Sequence, residues 1–273
     1  MKSVMSNVIT GVLPRLILAV TFFAVSAGVQ AGFQEGMKAY VTGNYHVALK
    51  EFKALALKGN AAAQFWLGWM YNDGNGVPQD YQLAMSWYRK AAEQGNMEAQ
   101  FFLGEMYDKG HGVPQDYSLA AVWYRMAATQ DSAIAQHRLG VMYAYGLGVP
   151  QDDQQAVSWY RKAAEQGNME AQFNLGTMYR QGKGAPQDYA EAMSWYLKSA
   201  GQGNTKALFN LGEMYYKGTG VPRDLVQALK WLGLAAISGH EEALKSMKMA
   251  EAKMTPKEIE EAQSLVHEWL AQH

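Results

Sequence analysis

Histidines and paired glycines are the residues of this sequence whose types could support catalysis, metal binding or phosphate binding. The six histidines are at positions 46, 111, 137, 240, 267 and 273, and no two are four residues apart. That spacing would place two imidazoles on one helix face, where they could bind a zinc ion. The glycine pairs form no G-x-x-x-x-G-K and no G-x-G-x-x-G between a strand and a helix, and no G-x-S-x-G elbow occurs. We therefore predict no catalytic residue, no metal site and no cofactor.

The glycine pairs belong instead to a motif that recurs every 36 residues. The dipeptide Leu-Gly begins at positions 67, 103, 139, 175 and 211, and tryptophan recurs at 87, 123, 159, 195 and 231. Five copies fill residues 61–96, 97–132, 133–168, 169–204 and 205–240 without a gap. A constant period between about 20 and 50 residues is typical of a solenoid.

Each copy contains two apolar stripes with helical spacing. In the second copy the first stripe runs from Ala99 to Gly110 and the other from Ala120 to Ala128. Apolar residues one, three or four positions apart predict two short helices, A and B. Gly110 can end helix A in the left-handed conformation, and Asp116 is a suitable N-cap for helix B.

Three positions carry specific packing expectations. Gly104 and its counterparts lie inside helix A, where Gly costs about 1 kcal/mol relative to Ala, so helix B is expected to approach too closely for a methyl group. The alternative is repeat duplication without a packing reason. Asp131-Ser132 replaces the Gly-Asn corner of other copies and predicts a differently bent joint. Trp159 lies on the stripe of helix B, and its truncation to Ala is expected to cost about 3–5 kcal/mol.

The pattern LGxMYxxGxGVPQDxxxAxxWYxxAA resembles the sel-one-like repeat (SLR) family, a branch of the tetratricopeptide superfamily. The resemblance implies an all-α fold, a right-handed superhelical α/α solenoid of antiparallel helix pairs. It also implies an adaptor or scaffold for protein complexes, often in the bacterial cell envelope. Some cysteine-rich members are described as β-lactamase-like, but this chain has no cysteine and lacks S-x-x-K and K-T-G. We therefore expect no enzyme activity, and keep an envelope enzyme as an alternative.

Residues 1–31 have the features of a secretory signal peptide. Lys2 and Arg15 are the only charges, the apolar run Leu16 to Val29 follows, and Ala31 completes a small-x-small cleavage site before Gly32. Cleavage after Ala31 predicts a periplasmic or secreted protein without stable membrane insertion. The alternative is an uncleaved anchor, although the apolar run is shorter than the roughly 20 residues that span a bilayer.

The charge of the chain without this segment argues against nucleic acid as a ligand. Removing two basic residues leaves 22 basic and 25 acidic residues, a net charge of −3. Nucleic-acid binding requires a basic surface. We therefore expect a protein or peptide partner.

The segments on either side of the five copies are expected to close the stack. Residues 32–60 resemble a short tetratricopeptide repeat, and 241–273 are expected to form C-terminal capping helices. Thr255, Pro256 and Glu258 make a strong helix start. The alternative for the last helix is a free amphipathic helix that binds a membrane or a partner.

Positions of helix A that vary between copies are the candidate partner-binding residues. They share one helix face, which in tetratricopeptide folds lines the concave side. The predicted binding residues are Trp66, Trp69, Asp73, Phe102, Glu105, Lys109, Arg138, Val141, Tyr145, Asn174, Thr177, Asn210 and Glu213. Trp66, Trp69 and Phe102 could form an exposed aromatic patch; the alternative is that the short N-terminal unit packs over the two tryptophans.

These observations favour an exported, non-enzymatic scaffold that binds a partner along the concave face. The first alternative is a secreted effector that engages host proteins, and the second is the envelope enzyme. Neither the partner nor the oligomeric state follows from the sequence.

Overall fold

The fold was determined from a computed structural model, which describes residues 27–272. Most of the predicted signal peptide, residues 1–26, therefore lies outside the described residues. The described range contains fourteen helices and no strand. In chain order they are α1 (Ala27–Val41), α2 (Tyr45–Ala56), α3 (Ala61–Asp73), α4 (Tyr81–Glu93), α5 (Met97–Lys109), α6 (Tyr117–Thr129), α7 (Ala133–Tyr145), α8 (Asp153–Glu165), α9 (Met169–Gln181), α10 (Tyr189–Ala200), α11 (Thr205–Lys217), α12 (Leu225–Ile237), α13 (Glu241–Glu251) and α14 (Pro256–Gln272).

The helices are arranged as antiparallel pairs of neighbours in sequence. Within the described residues the chain divides into a first unit, residues 27–94 with α1–α4, and a second unit, residues 95–272 with α5–α14. In each repeat, helix A packs on its own helix B, and inside each unit helix B packs on the next helix A. The prediction of an all-α solenoid of helix pairs is confirmed.

Caps at both ends of the helices explain where each one begins and ends. Gly110 follows α5 with φ of 70°, and the carboxylate of Asp116 accepts a hydrogen bond from the Leu119 amide at 2.9 Å at the start of α6. Asp131 is the one non-glycine residue of the described range with positive φ, 65°. The second copy thus keeps the left-handed corner that Gly167 makes with φ of 87° in the next copy.

The glycine inside helix A marks a close approach of helix B. A Cβ at Gly104 would lie 2.6 Å from the Tyr124 ring, and one at Gly140 would lie 2.6 Å from the Tyr160 ring. Carbon atoms cannot approach to that distance without displacement. The prediction that helix B leaves no room for a methyl group is confirmed.

Tyrosine lies against the glycine of helix A in the first four repeats, and Leu232 takes this position in the fifth. Tyr124 and Tyr196 have no exposed surface, and Tyr160 is 2% exposed. Trp159 is only partly buried, and the Lys162 ammonium lies 4.3 Å from its ring centre. The place of Trp159 on the packing stripe of helix B is confirmed by its packing against the cluster of Ala128 and Leu139, but because the ring is only partly buried we expect its truncation to cost less than the range for a buried Trp.

In each of the first four repeats a buried glutamine of helix A is hydrogen-bonded to an exposed glutamine at the end of helix B, a pair that the sequence motifs did not indicate. Gln136 donates to the Ala128 carbonyl at 3.1 Å, and its side-chain oxygen accepts from Gln166 at 2.8 Å. Equivalent pairs join residues 64 and 94 in the first unit and residues 100 and 130, and 172 and 202, in the second. In the fifth copy Leu208 and Ser238 replace both partners together. These pairs satisfy polar groups that would otherwise be costly to bury.

The last helix of the chain lies on the fifth repeat. Helix α14 packs against α12, where the rings of Trp231 and Trp269 are 4.8 Å apart at 71°. Helix α13 also contacts α12. Within residues 27–272, no helix combines the length and apolar character needed to cross a bilayer.

Candidate protein-binding surface

The variable positions of the A helices, α3, α5, α7, α9 and α11, fall into two groups that the structure treats differently. Those of α3 belong to the first unit and those of the other four helices to the second. The surroundings of each group are therefore given by contacts inside its own unit.

In the first unit the two predicted binding tryptophans are buried. Trp66 is 8% and Trp69 is 6% exposed. The Trp66 ring lies 5.1 Å from the Tyr40 ring and is stacked 6.0 Å from Phe52, while the Trp69 indole N–H donates to the Tyr40 hydroxyl at 2.7 Å. The predicted exposed aromatic patch was wrong for these two residues. The alternative, burial by the short N-terminal unit, is confirmed, because α1 and α2 provide Tyr40 and Phe52.

A polar cluster lies beside these rings at the end of α3. The Asn75 amide donates to the Tyr40 hydroxyl at 3.0 Å, and the Asn72 amide donates to Asp73 at 2.8 Å. Burial raises the pKa of Tyr40 to about 12 and raises the pKa of the Asp73 carboxyl above its usual value. The Tyr40 hydroxyl thus accepts hydrogen bonds from both Trp69 and Asn75 at the edge of the buried rings.

In α5 the predicted residues combine an aromatic ring and an ion pair. Phe102 is partly buried, and its ring lies 5.3 Å from Phe101 at 78°. Glu105 and Lys109 form an ion pair one helical turn apart. Such a surface pair contributes little to stability, roughly 0.3–0.5 kcal/mol, so both charges are available for a partner at low cost.

Helix α7 presents the most exposed residue of the predicted set. The Tyr145 side chain is 73% exposed, whereas Leu139 and Met142 of the same helix are 0% and 3% exposed. Arg138 and Val141 are partly buried. Arginine and tyrosine are enriched among residues that dominate binding energies at protein interfaces.

The remaining predicted residues take part in contacts inside the second unit. The side-chain amide of Asn174 lies 3.0 Å from His137 Nε2, and the Thr177 hydroxyl lies 3.0 Å from the Tyr196 hydroxyl. Glu213 accepts from the Ser246 hydroxyl at 2.9 Å and pairs with Lys217. Asn210 is partly buried. These side chains support the A helices as well as bordering their surface.

Comparison with known proteins places the repeats in a family. The Sel1 repeat model matches residues 61–96, 98–132, 133–168, 170–204 and 205–240. The chain belongs to the Sel1 repeat family. Comparison with curated proteins finds no match.

Two solved Sel1-type structures resemble this chain. A Sel1 repeat protein from Oxalobacter formigenes is 32% identical with a TM-score of 0.75, and the match covers 86% of this chain and 96% of that one. The protein c5321, a protective antigen present in uropathogenic Escherichia coli strains and displaying an SLR fold, is 34% identical with a TM-score of 0.66. That match covers 89% of this chain and 61% of c5321. Sel1 repeats generally serve as protein-interaction scaffolds, and the family is typically non-enzymatic.

The B helices also carry exposed residues that vary between copies, and the candidate residues from helix A did not include them. Helix B of the second repeat exposes apolar side chains at Leu119, Val122 and Met126. The sequence contains a sign of this difference, because three other copies have Ser at the position of Val122 and Lys at the position of Met126. Among residues 27–272, no three His, Cys, Asp and Glu side chains lie close enough to hold a metal ion.

Proposed function

We propose that this Sel1 repeat protein is an exported scaffold that binds a partner protein through the A helices of the second unit. The observation that carries the proposal is Tyr145, an aromatic side chain that is 73% exposed in a helix whose framework residues are buried. Other copies hold Asp73, Lys109, Gln181 and Lys217 at this position. A buried framework with chemically diverse exposed positions is what a binding surface on a repeat scaffold requires.

Arg138 and Val141 complete the proposed contact on α7. They precede Tyr145 by seven and four residues, so all three lie on one helix face. Together they offer an aromatic ring, a guanidinium and an apolar side chain to a partner. Trp66 and Trp69 have no part in this proposal, because their rings are buried inside the first unit.

Site-specific photocrosslinking compares the two faces of one repeat. A photoreactive amino acid replaces Tyr145 on helix A or Gln155 on helix B, both exposed, in cells that express the protein. We expect a specific adduct from position 145 and none of the same mass from position 155. Adducts that are equal at both positions, or absent at 145 and present at 155, would contradict binding by the A helices.

A pull-down with Tyr145→Ala then measures the energetic contribution of the ring. If Tyr145 is an interfacial anchor, removing it weakens capture of the crosslinked partner by about 2 kcal/mol, roughly thirtyfold in affinity. Gln155→Ala is the matched control. Undiminished capture by Tyr145→Ala would remove this residue from the interface.

Export is the second part of the proposal and is supported by the Leu16 to Val29 run and the site at Ala31. The packing in the first unit is compatible with cleavage there. Phe33, two residues after the proposed cut, lies 5.7 Å from the Phe52 ring, and a Cβ at Gly36 would lie 2.7 Å from the same ring. A chain that starts at Gly32 therefore keeps these contacts.

N-terminal sequencing of the protein from separated periplasm, medium and membranes tests export. We expect a chain that begins at Gly32 in the periplasm or the medium. Recovery of a chain that begins at Met1 in the membrane fraction would instead support an uncleaved anchor. An Ala31→Phe variant is the control, because a large residue at this site should block cleavage.

A further inference from the structure

Helix α6 carries an exposed apolar stripe on the B-helix side of the second repeat. Leu119, Val122 and Met126 are 41%, 51% and 40% exposed and form what we call the α6 stripe. They are spaced by three and four residues, so they share one face over about 10 Å of helix. The one charged residue of α6 is Arg125, which donates to the Tyr143 hydroxyl at 2.7 Å. Its guanidinium has further N–H donors for a partner carboxylate.

The other repeats show that the fold does not require this stripe. At the position of Val122, the first, third and fourth copies have Ser86, Ser158 and Ser194. At the position of Met126 they have lysines 90, 162 and 198, whose ammonium groups lie 4.2, 4.3 and 3.9 Å from the ring centres of the tryptophans three residues earlier. The second repeat has Val122 and Met126 on this face in place of the serine and the lysine.

In the fifth repeat the corresponding face is covered by a helix of the chain itself. Leu234 of α12, at the position of Met126, is 2% exposed and belongs to the cluster on which Val266 and Trp269 of α14 pack. A Cβ at Gly233 would lie 3.4 Å from the Val266 side chain. The B-helix face of the fifth repeat, which has Gln227, Lys230 and Leu234 at the positions of the α6 stripe, is thus covered in part by an amphipathic helix within this molecule.

The covering helix α14 has a recognisable chemistry. Ile259, Ala262, Val266 and Trp269 lie on one side, and its charged residues are four glutamates, at 258, 260, 261 and 268, and one lysine, at 257. Lys230 of α12 lies 5.2 Å from the centre of the Trp269 ring. An acidic amphipathic helix therefore packs on a B-helix face that combines an apolar side chain, Leu234, with a cation, Lys230. The α6 stripe likewise combines apolar side chains with a cation, Arg125, and within residues 27–272 its three side chains remain at least 40% exposed.

We propose that the α6 stripe is a docking site for an amphipathic helix of a partner protein, with apolar anchors on one face and carboxylates beside them. Anchors at i, i+3 or i+4 and i+7 of such a helix match the spacing of Leu119, Val122 and Met126. The carboxylates of the partner helix accept charge-assisted hydrogen bonds from the Arg125 guanidinium. This site is separate from the proposed A-helix surface, so that either can be present without the other.

The test uses a labelled peptide with the sequence of residues 255–272 as the probe and the full purified chain as the receptor, measured by fluorescence anisotropy. The double variant Val122→Ser, Met126→Lys restores the sequence of the neighbouring repeats, so it is expected to fold normally. We expect it to bind the peptide at least tenfold more weakly than wild type. Leu119→Gln, which copies the third repeat, is the second variant and is expected to weaken binding as well. Tyr145→Ala should bind as wild type does, which separates this site from the A-helix surface.

A peptide in which the four glutamates are replaced by lysine should bind at least tenfold more weakly if the carboxylates are recognised. Equal affinity of wild type and both α6 variants for the original peptide would overturn the proposal. So would wild-type self-association in sedimentation that the double variant lacks, because the occupant would then be a second copy of the chain. Binding to phosphatidylglycerol vesicles that depends on Val122 and Met126, without binding of the peptide, would assign the stripe to a membrane surface and overturn it too.

Discussion

A methyl group at position 140 would collide with the ring of Tyr160, and this contact gives a sharp test of how helices A and B meet. A Cβ there would lie 2.6 Å from the ring, whereas one at Gly233, also inside a helix, would meet only Val266 at 3.4 Å. Replacing helical Gly by Ala otherwise stabilises by about 1 kcal/mol. We expect Gly140→Ala to destabilise the protein by about 1–3 kcal/mol, because overpacking exceeds the gain in helix propensity.

Denaturant melts of both variants check this expectation. Gly233→Ala is the matched control and should be neutral or stabilise by up to about 1 kcal/mol. If Gly140→Ala were as stable as Gly233→Ala, the recurrence of glycine in helix A would have no packing cause.

His137 should make stability depend on pH in a way that its counterparts do not. Burial, with a smaller contribution from the Arg138 charge, lowers the pKa of His137 to about 4. Above about pH 6.5 the imidazole is neutral in both folded and unfolded chains, so its contribution is constant. Between about pH 6.5 and 4 the unfolded chain binds the proton and the folded chain does not, so stability falls as pH falls, by about 1–3 kcal/mol.

The control variant for this measurement exists within the chain. The other four copies have Phe at the position of His137, at residues 65, 101, 173 and 209. His137→Phe should therefore fold and should lose this part of the pH dependence in melts at pH 7 and pH 4.5. If the stability of wild type and of His137→Phe fell equally between pH 7 and pH 4.5, groups other than His137 would cause the pH dependence.

At the scale of elements, helices α1 and α2 owe their place to the aromatic residues of α3. Trp69 is 6% exposed and its indole N–H donates to the Tyr40 hydroxyl at 2.7 Å. Trp69→Ala should cost about 3–5 kcal/mol of stability, the range for a buried Trp truncation. The folded fraction should capture the partner as wild type does, because this ring is not on the surface.

A thermal melt and a partner pull-down of Trp69→Ala test both statements. Leu57→Ala is the control, since Leu57 of the same unit is 70% exposed and its truncation should change stability by no more than about 0.5 kcal/mol. A normal melt with weakened capture would mean that Trp69 serves the interface after all.

For the molecule as a whole, the joints between successive repeats make equivalent contacts, so we expect that one whole repeat can be deleted and its neighbours can pack on each other instead. Deleting residues 133–168 would place Met169 after Ser132, so that Gln172 could bond to Ala128 as Gln136 does. Because each repeat of a solenoid contacts mainly its neighbours, we expect a folded helical protein of lower stability that has lost Tyr145 and partner binding.

Circular dichroism and thermal melting of this variant provide the measurement. A deletion of residues 133–150 is the control, because it removes helix A and its loop and leaves two B helices in succession. It should not give a cooperative transition. If both deletions melted alike, the joints between repeats would not be equivalent.

The sequence by itself determined the repeat, the helix pairs and their caps. These features depend on neighbours in the chain: a glycine that takes positive φ, an aspartate three residues before the amide it caps, and apolar side chains at helical spacing. The glycine inside helix A was also readable, because its cost inside a helix points to a close contact.

Only the tertiary structure decided which side chains on those helices are covered. Trp66 and Trp69 differ from their counterparts in sequence, yet α1 and α2 bury them, so variation between copies did not indicate exposure. Trp159 and Tyr160 are adjacent on the same stripe, but only Tyr160 lies over the glycine of helix A, and it is 2% exposed. Leu234 and Met126 hold one position of the repeat, and a helix from the end of the chain packs at the first while the second stays exposed. The burial of a side chain depends on which segments from elsewhere in the chain pack on its helix, and the spacing of apolar residues along that helix does not specify those segments.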